Sequence, residues 1–191
     1  NIKHVFAYSS VAQVGYMIVG FSLSTPAGLT AMLLHMFNHA LMKGALFMAL
    51  VAIMYRVGSS KITDLQGLGR QMPLTMAAIV VGGLSLIGVP LTVGFVSKWY
   101  LVVAAIEKGW WWLAGLVLLG SLLAVIYVWR IVETAYFKAP VLGQQPVKEA
   151  PMAILVPVWL LVSANVYFGI DTRLSVEIAA SAAKSLFGVV Q

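Results

Sequence analysis

Long apolar runs, separated by short polar intervals, fill the chain. The first runs from about Val5 to Leu23, and its first half carries Tyr8, Ser9, Ser10, Gln13 and Tyr16. Hydroxyls and amides need partners in hydrocarbon, so this face is expected to pack on other helices. Ser24-Thr25-Pro26 reads as a turn, with Pro26 suited to the first turn of the next helix. The second run extends from about Ala27 to Tyr55. Arg56 to Met72 reads as a loop in which Gly58, Gly67 and Gly69 break any helix.

The third region, from Pro73 to about Ile106, is apolar but interrupted by GVPLTVGFVSKWY, Gly88 to Tyr100. Proline removes a helical hydrogen bond and clashes with the preceding turn. Each piece alone is marginal for about 30 Å of hydrocarbon. The pattern therefore predicts one span broken at Pro90/Gly94, its irregular backbone covered by protein or water. Trp110, Trp111 and Trp112 mark an interface and open a fourth span to about Val132. Lys138 to Glu149, with Pro140, Gly143 and Pro146, reads as a loop, and Pro151 to Ile170 as a fifth span. Ile178, Ala182, Leu186 and Val189 recur at helical spacing, which predicts a short amphipathic tail helix at the interface. The expected fold is an all-α integral membrane protein of about five transmembrane helices, the third broken, plus a short C-terminal amphipathic helix. Residues 1–191 read as a single membrane domain.

Composition agrees. The chain is 61% hydrophobic and only 9% charged, whereas a soluble domain carries about a quarter charged residues. It has no cysteine, so disulfides, thiol catalysis and thiolate metal sites are excluded. The net charge of +6 is scattered over short loops, which argues for membrane orientation rather than nucleic acid. Lys3, the Arg56–Lys61–Arg70 loop, and Lys138 with Lys148 lie on one side. That side is expected to be cytoplasmic, with the C-terminal tail opposite. The chain opens Asn1-Ile2-Lys3-His4 without Met, and reads as a piece of a longer subunit.

The chemistry concentrates in HMFNHALMKGALF, His35 to Phe47. His35, His39 and Lys43 stand at steps of four, which places them on one slowly drifting helical stripe about 12 Å long, with Asn38 beside it. Lys98 sits just past the break. A lysine at membrane depth costs at least about 2.5 kcal/mol on insertion scales. Two histidines at this spacing can share a metal ion, but no carboxylate lies nearby and Lys43 would repel a cation. A purely structural stripe requires Lys43 to reach water from roughly 18 Å away, too far for easy snorkelling. Stacked titratable groups facing a hydrated interior are what a proton path needs. Lys98 is also expected to cap the break at the freed carbonyls near Val89 to Thr92. Arg130 and Glu133 could pair on the surface of span four. No cofactor site is expected.

Four stretches, in order, resemble motifs of the proton-conducting antiporter-like membrane subunits. NIKHVFAYSSVAQVGYM resembles their D-I-K-R-x-x-A-Y-S-S-x-x-Q-x-G-Y segment, and HMFNHALMKGALF their H-x-x-x-H-A-x-x-K-x-x-L-F helix. DLQGLGRQMP resembles the loop D-x-x-x-L-x-G-L-x-x-x-M-P, and GVPLTVGFVSKWYL the broken helix G-x-P-x-x-x-G-F-x-x-K. The family includes Mrp-type sodium/proton antiporter subunits, the large antiporter-like subunits of respiratory complex I, and membrane subunits of group 4 hydrogenases. The resemblance implies a full subunit of about fourteen spans with two inverted repeats, of which this chain is most of the second repeat plus a last helix. It also implies that His35, His39 and Lys43 lie on a central hydrophilic axis, and that Lys98 is the terminal lysine near the exit. Asn1 stands where many relatives have Asp. Trp99 follows Lys98, where the large complex I subunit often has an acid, and tilts the reading toward the Mrp-type antiporter branch.

The expected function is thus a proton-conducting transporter subunit, exchanging protons for a monovalent cation such as Na+ through the Lys/His axis. The alternative is a proton-pumping subunit of complex I or a membrane-bound hydrogenase. A second alternative is a structural membrane module with no proton path of its own. An intramembrane enzyme or quinone site has no buried carboxylate pair, cysteine or serine dyad to support it. Expected partners are other membrane subunits of a hetero-oligomeric complex and the bilayer, in a bacterial inner (plasma) membrane.

Overall fold

The computed structural model describes residues 1–140 and 146–188; Gly143 of the expected loop and Val189 of the expected tail stripe lie outside them. Helix α1 covers Ile2–Ser22 and opens on Asn1, whose side chain accepts the Lys3 N–H at 3.0 Å. Helix α2, Pro26–Val57, starts from Thr25, whose hydroxyl oxygen accepts the Gly28 N–H at 3.0 Å. It ends where Gly58 takes a left-handed φ of 71°. The two helices touch closely at their joined ends: a β-carbon on Gly28 would lie 2.6 Å from the Gly20 carbonyl oxygen.

The Arg56–Met72 interval is less irregular than expected. A 3₁₀ turn covers Ile62–Leu65, and one helical turn, α3, covers Leu68–Gln71. Gly69 sits inside that turn because the Tyr136 ring fills the place of its missing β-carbon. Helix α4, Pro73–Ile87, and helix α5, Val93–Glu107, are the two halves of the broken span. Neither reaches across about 30 Å by itself. Helix α6, Trp111–Phe137, continues five residues beyond the expected end, and helix α7 covers Met152–Ile170.

Helices α1, α2, α6 and α7 are long and apolar enough to cross a membrane, and the α4–α5 pair supplies a fifth crossing. The chain is a multi-pass helical membrane protein. Helix α2 is central and packs against α1, α4, α5, α7 and helix α8, Arg173–Leu186. In α8 the expected apolar stripe and the face buried in the protein are different. Ile178 and Leu186 are exposed, while Ser175, Ala179 and Ala183, also four apart, are buried. Small side chains let α8 lie close on α2, which larger residues would prevent.

The main core lies among the C-terminal half of α2, α4, and parts of α6 and α7, with Met42, Leu46, Ile53, Met76 and Leu86 fully enclosed. The exposed large residues are most numerous on α6 (Trp111, Leu122, Ile126), with others on α1, α2 and α7, as expected of faces that meet lipid or other helices.

Candidate functional site

The break itself spans residues 88–92. Gly88 has φ 92° and Leu91 φ 72°, so the chain leaves α4 through left-handed backbone. Gly94 lies not in the break but in the first turn of α5, where a β-carbon would come 1.8 Å from the Ser85 carbonyl oxygen. Its role is close approach: the start of α5 crosses the last turn of α4. The Gly94 N–H donates to Ser85 Oγ at 3.2 Å.

Lys98 explains how this break is tolerated. In an unbroken helix the Leu86 carbonyl would accept the amide of residue 90. Residue 90 is proline and has no N–H. Lys98 Nζ takes that position, donating to Leu86 O at 2.7 Å and Ile87 O at 3.0 Å, and to Ser121 Oγ of α6 at 3.0 Å. The cap expected at Val89 to Thr92 is therefore one turn earlier, on the last carbonyls of α4. The carbonyl of Val89 is instead taken by the Thr92 hydroxyl at 2.7 Å. Lys98 is 6% exposed.

The stripe on α2 faces inward at its lysine and first histidine. Lys43, 6% exposed, donates to the Phe6 carbonyl of α1 at 2.7 Å and to the Ser9 hydroxyl. Its ammonium also lies 6.0 Å and 5.9 Å from the Phe6 and Phe47 ring centroids. His35 is buried and its Nδ1 lies 2.8 Å from Ser97 Oγ, one residue before Lys98. His39 is half-buried, its ring stacked near that of His35 at 6.5 Å and 15°. Asn38 Nδ2 donates to the Val93 carbonyl at 2.7 Å, tying α2 to the start of α5. Tyr16 of α1 touches both parts of the site: its ring is edge-on to His35 at 5.6 Å and lies 5.1 Å from Lys98 Nζ.

All four residues singled out in the sequence thus occupy one interior, between α1, α2, α5 and α6. Four buried polar atoms there have no protein partner among the described residues: Gln13 Oε1, His35 Nε2, Asn38 Oδ1 and His39 Nε2. Ser97 and Ser121 were missed, because an isolated serine in an apolar helix carries no sequence signal; only the adjacency of Ser97 to Lys98 hinted at it. Arg130 and Glu133 do not pair: among the described residues the one ion pair is Arg173–Asp171, at 2.8 Å on the surface. A structural carboxylate that the sequence did not single out is Glu149. It accepts from Leu74 N–H at 2.8 Å and Thr75 N–H at 3.3 Å, and so caps the start of α4. Trp99, which tilted the branch reading, turns away from the site, 57% exposed and stacked on Phe95.

Fold and site together define a multi-pass membrane protein with a broken span and ionisable side chains buried at span depth. The chain belongs to the NADH:quinone oxidoreductase/Mrp antiporter transmembrane family, whose model matches residues 1–124. It is 39% identical to NADH-quinone oxidoreductase subunit N of Desulforudis audaxviator over 182 residues, covering 89% of this chain and 36% of the relative. It is 32% identical to F(420)H(2) dehydrogenase subunit N of Methanosarcina mazei, covering 97% of this chain and 39% of the relative. The chain thus spans well under half the length of these curated relatives. Among solved structures, it matches a chain of the Mrp complex from Dietzia sp. DQ12-45-1b with a TM-score of 0.87 at 25% identity, covering 96% of this chain and 42% of that one. A chain of the archaeal membrane-bound sulfane sulfur reductase matches with a TM-score of 0.82 at 36% identity, covering 88% and 28%. Both curated relatives are subunits N of redox enzymes, so the redox-coupled alternative is better supported than the Mrp-type antiporter branch that Trp99 suggested.

Proposed function

We propose that this chain forms the proton-conducting second repeat, with a last helix, of an antiporter-like subunit in a redox-driven membrane complex of the quinone oxidoreductase type. The observation that carries this reading is the setting of the two lysines. Lys43 and Lys98 are buried, on either side of the His35–His39 pair, and every hydrogen-bond partner of each is a neutral oxygen. No carboxylate pairs with either among the described residues. A lysine held this way can release and regain a proton without breaking an ion pair. The unpartnered atoms of Gln13, His35, Asn38 and His39 are buried polar groups of the kind that ordered water satisfies. Water there would join Lys43 to His39 and His35, and His35 to Lys98 at the break. The carbonyls left free at the end of α4 hold Lys98 at the break, where the chain leaves regular helix, which suits it to pass protons outward.

On this reading the redox step belongs to partner subunits, and the chain catalyses no bond chemistry itself. Its partners are neighbouring membrane subunits, lipid and protons, and the N-terminal end faces the cytoplasm. A second reading, Na+/H+ exchange, is favoured by the fold match to the Mrp complex. One experiment separates them: acidification measured in vesicles carrying the full-length subunit in its complex, wild type against Lys98→Ala and Lys43→Ala. Donor-driven proton movement that is lost in both variants is the expected result. Sodium-driven proton movement without a donor would favour exchange. Wild-type transport in both variants would leave only the structural module.

A further inference from the structure

Tyr16 lies in the first span, among the residues expected to need partners, yet the proton path as described does not use it. It is only 8% exposed. Its ring meets the His35 ring at 86° and a centroid distance of 5.6 Å, and the Lys98 ammonium lies over it at 5.1 Å. Its hydroxyl reaches α6 at Gly120, the residue before Ser121, which is the side-chain partner of Lys98. The space for that hydroxyl exists because residue 120 is glycine. A β-carbon there would lie 2.3 Å from the Tyr16 hydroxyl oxygen but 3.3 Å from the ring carbon that bears it.

We infer that Tyr16 is the positioning residue for Lys98: its ring forms the wall that holds the ammonium against the break, and Gly120 is the notch that seats the ring. The attraction of an ammonium for an aromatic face strengthens where water is excluded. Without the ring, the Lys98 ammonium keeps its hydrogen bonds to Leu86, Ile87 and Ser121 but loses the wall on the side of His35 that confines it to them. The inference rests on the proton-path reading above and refines it.

The test uses the full-length subunit in its native complex, with donor-driven proton pumping measured per assembled complex in vesicles. Tyr16→Leu removes the ring and should lower pumping by about tenfold, whereas Tyr16→Phe keeps it and should cost about threefold or less. Gly120→Ala should lower pumping about as much as Tyr16→Leu, because the new methyl displaces the ring. The decisive variant is the pair Gly120→Ala with Tyr16→Phe. Removing the clashing oxygen lets the ring return, and pumping should recover to the level of Tyr16→Phe alone. A pair that pumps no better than Gly120→Ala would overturn the assignment, as would full pumping in Tyr16→Leu. If Tyr16→Leu fails to assemble, the recovery of the pair over Gly120→Ala decides. Lys98→Ala runs alongside as the reference. Pumping that persists in Lys98→Ala removes the proton-path reading itself. Loss in Lys98→Ala with normal Tyr16→Leu removes only the role of Tyr16.

Discussion

Gly94 lies so close to Ser85 that a β-carbon on it would fall 1.8 Å from the Ser85 carbonyl oxygen. The obstacle is backbone, not the end of a flexible side chain, so the two half-helices must separate to admit it. Gly94→Ala is expected to destabilise the subunit by about 3 kcal/mol, at the upper end of overpacking costs. It should also pull Lys98 from the Leu86 and Ile87 carbonyls. A lowered Tm of the purified complex, with pumping lost, is the expected result; an unchanged Tm would show that the halves can slide apart freely.

The two lysines should respond differently to replacement by methionine. In Lys43→Met the Phe6 carbonyl keeps two other donors, the hydroxyls of Ser9 and Ser10, at 3.0 and 3.2 Å. Among the described residues Lys43 has no ion-pair partner, so its removal strands no opposite charge in the interior and relieves the cost of burying its own. Lys43→Met should therefore assemble as well as wild type but fail to pump. Lys98→Met leaves the Leu86 carbonyl facing a proline, and should cost about 1–3 kcal/mol in addition to the loss of pumping. Thermal melts and vesicle acidification on the same preparations check both.

Ser97 offers a test of the His35 tautomer. Its hydroxyl lies 2.8 Å from His35 Nδ1 and can donate to the Val93 carbonyl at 3.3 Å. If the hydroxyl proton goes to Val93, then Nδ1–H donates to Ser97 and Nε2 is the bare acceptor turned to the interior. ¹⁵N spectra of labelled histidine should show the Nδ1–H form in wild type and a mixture in Ser97→Ala. Pumping should fall by about tenfold or less in Ser97→Ala, the worth of one hydrogen bond. A single Nε2–H tautomer in the wild type would reverse this orientation.

Glu149 is expected to matter for stability rather than for proton transfer. Its carboxylate also accepts from the Thr75 hydroxyl at 2.5 Å and the Ala150 N–H at 2.9 Å. Loss of a helix cap costs about 1 kcal/mol. Glu149→Ala should lower Tm accordingly and speed amide exchange at Leu74 and Thr75, with Glu149→Gln between the two. Equal exchange in all three proteins would mean that the cap is not maintained in the membrane.

The spans were legible because hydrocarbon demands long apolar runs, and few other structures supply them. The break was legible from Pro90, and the stripe from the spacing of His35, His39 and Lys43. Contacts between distant segments were not. Glu149 looks like one more loop charge until the fold brings it to Thr75, and Ser121 looks like one more small residue of α6. Gly69 read as a helix breaker because local propensity was all the sequence offered; the Tyr136 ring that packs on it comes from a distant helix, α6. In α8 the apolar spacing of Ile178 and Leu186 marked an amphipathic helix, but not that its small residues Ser175, Ala179 and Ala183 are the buried ones.

Helix α4 has a carboxylate at its first amides and an ammonium at its last carbonyls. Its peptide dipoles point the same way, with about half a positive charge at the Glu149 end and half a negative charge at the Lys98 end. The helix is about 22 Å long at 15 residues. The loop before α7 and the buried break are therefore two poles of one electrical element. On the proton-path reading, a change of charge at Lys98 unbalances the pole beside it, within the last turn of α4, while the carboxylate keeps the other pole neutralised.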